Sequence, residues 1–76
     1  MNDLGIKRLM ADYNHFNDRE IKAEIFFREH VDNVEQKHID AYISIIKQLS
    51  TLQKKIEKAI GRKMTNKEIF HGFKID

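Results

Sequence analysis

The 76-residue sequence has no cysteine, no proline, no tryptophan and only three glycines. The absence of cysteine excludes disulfides, thiolate metal centres and cysteine nucleophiles, so whatever core forms has no covalent reinforcement. Without proline, and with glycine only at Gly5, Gly61 and Gly72, few positions interrupt a helix. No apolar run approaches the roughly 20 residues of a membrane span, and the opening MNDLGIKRLM has no apolar segment of the secretory type. A cytoplasmic protein with no membrane partner is expected. Glycine-rich phosphate loops and Gly-x-Ser-x-Gly elbows are missing too, and the two serines, Ser44 and Ser50, both fall in a helical stretch. A chain this short has little room for a catalytic pocket beside a core, so no enzyme, no catalytic residue and no cofactor is expected.

What is present favours helix. Apolar residues make up 41% and charged residues 34%, too apolar for a disordered chain, and Lys, Glu, Ile, Leu and Ala are frequent. The expectation is an all-α protein, residues 1–76 forming a single helical domain. It is a small helical bundle built on one long amphipathic helix with shorter flanking helices.

Helix starts can be read from capping boxes, in which a polar cap accepts from the third backbone amide and a Glu there returns the bond. Asn17–Glu20 is one, with Phe16 and Ile21 as its apolar staple; Thr65–Glu68 is another, with Met64 and Ile69. Asp32–Glu35 is a third, without a staple. These signals predict helices over 3–13, 18–31, 33–60 and 66–71, with Asp32 as a possible break. Gly61 and Gly72 act as C-terminal stops.

The long helix carries Tyr42, Ile45, Leu49, Leu52 and Ile56 at alternating spacings of three and four, a seam that needs a partner surface. Ile46 and Ile60 widen the stripe. The partner is an intramolecular core, a second copy, or both, and a small uncrosslinked domain gives a reason for self-association. The run Ile25-Phe26-Phe27 spans too wide an arc for one contact, so Phe26 and Phe27 are candidates for binding another protein.

Charge is divided unevenly. Residues 1–40 hold six Lys/Arg and nine Asp/Glu, and residues 41–76 hold eight and three, for net charges of −3 and +5 within the overall +2. Part of the basic excess at the end of the long helix suits the helix dipole. Together Lys54, Lys55, Lys58, Arg62, Lys63 and Lys67 are also candidates for phosphate contacts. Residues 52–71 have the layout of a helix-turn-helix, although Glu57 stands where a small residue usually lets the two helices approach.

Glu35–His38 and Glu68–His71 are both Glu-x-x-His, a spacing that resembles the ligand motif of di-iron carboxylate bundles, with Glu24 and Glu57 as further carboxylates. Both first glutamates already have capping duties, and no metal site is expected. The function expected is a small non-enzymatic binding or regulatory protein that acts on another protein and self-associates as a homodimer or higher oligomer. The alternative is a nucleic-acid-binding regulator using the basic half.

Overall fold

The computed structural model describes residues 3–74, which form three α-helices: α1 (Asp3–Glu29), α2 (Gln36–Ile60) and α3 (Asn66–His71). The bundle is all-helical, as expected. α1 and α2 are an antiparallel hairpin joined at residues 30–35, and α3 folds back against the middle of α1. The whole measures 47 × 19 × 19 Å. No helix among the described residues is long and apolar enough to cross a membrane.

The expected division of the first half is corrected. Helices over 3–13 and 18–31 are one 27-residue helix, α1, that runs through the predicted boundary. Asn17 does not cap there. It is buried, and its Nδ2 donates to the Phe70 carbonyl at 3.1 Å. No glycine or proline lies between 13 and 18 to enforce a break, so a tertiary hydrogen bond overrides the local capping option.

The break near Asp32 is present, and it is longer than expected. α2 starts at Gln36 instead of 33, with Glu35 in extended conformation at the N-cap and making no side-chain cap bond. At its other end α2 stops as the sequence predicts. Gly61 is left-handed, φ 74° and ψ 20°, and its amide donates to the Glu57 carbonyl at 3.0 Å.

The core consists of Tyr13, Ile45, Leu49, Leu52, Ile56 and Met64, with Leu9, Phe16, Ile60, Ile69 and Phe73 packed around it. Ile56 is fully buried. Four of the five predicted seam positions, Ile45, Leu49, Leu52 and Ile56, are thus covered by α1 of the same chain. Tyr42, the fifth, is half-buried.

Candidate interaction groove

α3 is short, and a six-residue helix has no stability of its own. Three side chains of α1 hold it. The Tyr13 hydroxyl donates to the Ile69 carbonyl at 2.8 Å, and Asn17 donates to Phe70. Asn14 both donates to the Phe73 carbonyl and accepts from the Phe73 amide, each at 2.7 Å. Two carbonyls in the last turn of α3, those of Ile69 and Phe70, are therefore satisfied by α1. Sequence reasoning missed this lock. Its only trace is the run YNHFN, two asparagines three apart and so on one face of a helical stretch.

The N-terminus of α3 is closed by the capping box read from the sequence. Thr65 Oγ1 accepts from the Glu68 amide at 3.1 Å, and Glu68 Oε1 accepts from the Thr65 amide at 2.9 Å. Arg62 adds two parallel bonds to the Glu68 carboxylate, both 2.9 Å. The guanidinium first, and the Thr65 amide second, hold the Glu68 carboxyl at about 2, well below its ordinary value. Glu57 accepts from the Met64 amide at 2.8 Å, and that bond is the main reason its carboxyl is also lowered.

Docking α3 in this way shapes a groove along one side of the hairpin. A cleft of about 320 Å³ is lined by Ile21, Glu20 and Glu24 of α1, Ile46 of α2, and Ile69 and Phe70 of α3, over the core side chains of Tyr13 and Leu49. Its apolar walls remain open to water: Ile21 is 43% exposed, Ile46 38% and Phe70 66%. Ile25 and Ile43, also exposed, extend the apolar surface toward the hairpin turn.

Glu20 and Glu24 stand one turn apart in this setting. Burial raises the Glu20 carboxyl above its ordinary value, and its hydrogen bond to Glu24 and the charge of Glu24 raise it further. Tyr42 donates to Glu24 at 3.3 Å. Its hydroxyl is raised, first by burial and then by the two glutamates. Among the described residues no Lys or Arg pairs with either carboxylate.

The expected partner aromatics lie elsewhere. Phe26 stacks on His30 with centroids 4.3 Å apart and packs against His38 at 4.6 Å. Phe27 meets Tyr42 edge-on at 5.3 Å. Both are half-buried at the closed end of the hairpin, and neither lines the cleft.

Of the basic residues, Lys54, Lys55, Lys58, Lys63 and Lys67 are exposed, whereas Arg62 is engaged with Glu68 and the Lys63 carbonyl. The two Glu-x-x-His pairs do not converge: Glu57 and Glu68 serve the α2–α3 turn, and Glu24 bonds Tyr42. Among the described residues no three His, Asp or Glu are grouped to hold a metal ion. Comparison with protein-family models, with curated proteins and with solved structures gives no match for this chain.

Proposed function

We propose that this chain is a small non-enzymatic, cytoplasmic interaction protein of regulatory type, and that its working surface is the groove between α1 and α2. The observation that supports this reading is that exposed Ile21, Ile46 and Phe70 line one cleft beside a core that already occupies Leu49 and Tyr13. Scattered surface isoleucines are ordinary, but a contiguous apolar strip with a polar rim is the form protein-binding sites take. Helical partners suit it, because a groove between two helices accepts the ridge of a third.

Site-specific photo-crosslinking tests the reading. A photoreactive residue in place of Ile46 should give a protein adduct in cells, and one in place of Lys55, on the opposite face, should not. Adducts only from position 55, or from neither, would remove the groove from consideration.

A second reading has an observation of its own. Lys47, Lys54, Lys55 and Lys58 follow one another along the outer face of α2, and the only carboxylate between Ser44 and Lys58 is Glu57, which is bonded to the Met64 amide. Such a stripe suits nucleic-acid phosphates. If it binds them, Lys55→Gln with Lys58→Gln weakens duplex binding on all sequences and lowers the salt slope by roughly two. Absence of any gel shift at low salt would exclude this reading.

A further inference from the structure

We infer that the groove takes a basic amphipathic helix of another protein, whose apolar face covers Ile21, Ile46 and Phe70 and whose Lys or Arg side chains pair with Glu20 and Glu24. This rests on the groove being an interaction surface, and it is carried by where the two carboxylates stand.

Tyr13, Asn17, Glu20, Glu24 and Phe27 alternate spacings of four and three along α1, so they share one face of that helix. It is the face turned inward: Tyr13 belongs to the core, Asn17 is buried, and Phe27 packs edge-on against Tyr42 of α2. Glu24 accepts from the same Tyr42 at 3.3 Å, and Glu20 is half-buried. Two acids therefore hold positions where a helical hairpin ordinarily places apolar side chains, and both line the cleft.

A carboxylate drawn out of water needs a partner. This pair lacks a cation: among the described residues the ion pairs lie elsewhere, and no Lys or Arg lines the cleft. The other polar side chains there besides the tyrosine, those of Asn17, Ser50 and Gln53, are neutral. Burial first, and then the hydrogen bond to Glu24 and its charge, raise the Glu20 carboxyl, which is the penalty that an ammonium or guanidinium seated beside the pair would offset. The chain as a whole carries +2, so attraction of a basic partner is local to this site and is not a property of net charge. A second copy docked groove to groove would set the carboxylates against each other, which like charge disfavours.

The apolar residues set the partner's form. Ile46, which lines the cleft, shares a face of α2 with Ile39 and Ile43 at spacings of seven and three, and all three are exposed. From Ile39 to Gln53 at the other end of the cleft α2 rises about 20 Å, which is the length of an α-helix of about four turns. A helix with apolar residues at the same spacing lays its ridge along such a strip.

Fluorescence polarisation with two synthetic helical peptides of about 16 residues tests this. Both carry a leucine stripe at helical spacing, flanked by Lys in one and by Glu in the other. The wild type should bind the Lys peptide at least about tenfold more tightly than the Glu peptide. Glu20→Gln with Glu24→Gln, which keeps side-chain size, should reduce that preference to about twofold or less, whereas Glu29→Gln with Asp32→Asn, two acids outside the cleft, should leave it unchanged. Ile46→Asn and Phe70→Ser, both at exposed side chains, should each weaken the Lys peptide about tenfold with an unchanged helical circular-dichroism spectrum.

Equal affinity for the two peptides overturns the proposal, as does a preference that survives the Glu20 and Glu24 changes or is lost equally with the control pair. So does failure of the Lys peptide to bind, or binding that neither Ile46→Asn nor Phe70→Ser weakens. A mass in sedimentation equilibrium that doubles with concentration, and no longer does so in Ile46→Asn, overturns it by placing a second copy in the groove. Failure here is distinct from failure of the groove itself: a photo-adduct from position 46 then keeps the groove with a partner of other chemistry, whereas no adduct removes both.

Discussion

Glu68 accepts two bonds from Arg62 and one from the Thr65 amide, and its own amide donates to Thr65, so the start of α3 depends on one carboxylate. Thr65→Ala should lower stability by about 1 kcal/mol, read as a lower melting temperature. The pH dependence has a definite sign. Glu68 titrates at about 2 in the fold against an ordinary 4.5, so its contribution is fully present above about 4.5 and is lost as pH falls toward 2. The melting-temperature gap between the wild type and Glu68→Gln should therefore close over that interval. Glu20 works in the opposite sense: its carboxyl is raised, so its contribution is present in acid and is lost as pH rises through the raised value. The Gln variant is needed to separate the two.

Glycine is also decided residue by residue. Gly61 is left-handed with open space around its Cα, and Gly72 combines φ 77° with ψ −164° where a Cβ would run into the Asn14 carboxamide. Gly61→Ala should cost on the order of 1–2 kcal/mol. Gly72→Ala should cost more, because the backbone strain of roughly 1–3 kcal/mol is joined by loss of the Asn14–Phe73 bonds. Urea midpoints for the two variants test the ranking, and equal midpoints would contradict it.

At the scale of the element, α1 acts as a scaffold that carries the lock for α3. Its continuity through residues 14–17 places Tyr13, Asn14 and Asn17 in register to reach three backbone carbonyls beyond residue 68. Asn17→Ala leaves the Phe70 carbonyl without its partner, and a loss of about 1–2 kcal/mol is expected. Asn14→Ala should release the segment after Gly72 first, visible as faster hydrogen exchange at the Phe73 amide with little change in the α2 amides. Uniform acceleration along the chain would show instead that α3 and the hairpin open as one unit.

For the whole molecule, the core is narrow enough that one side chain has a large effect. A 76-residue chain has a total stability of about 4–11 kcal/mol. Ile56→Ala, at the one fully buried large side chain among the described residues, should remove about 2–5 kcal/mol of it. If the groove is occupied by a second copy, the apparent loss will depend on protein concentration, because assembly and folding are then linked. A melting temperature of the wild type that rises with concentration is the simplest sign of that linkage.

Local chemistry was legible in the sequence at several places where the responsible residues are neighbours along the chain, though not at the Asn17–Glu20 and Asp32–Glu35 boxes. The α2 stripe Ile45, Leu49, Leu52 and Ile56, the Gly61 stop and the Thr65–Glu68 box each lie within a few turns, and each is present. The helical class follows from the same short-range rules and from the absence of proline. Asn17 marks where those rules stop: it has the chemistry of a cap, and only the arrival of Phe70 from 53 residues away decides that it becomes a buried donor. The groove is a tertiary matter for the same reason. Ile21, Ile46 and Phe70 belong to three helices, and their convergence depends on how α3 is pinned to α1, through contacts whose partners no local pattern specifies.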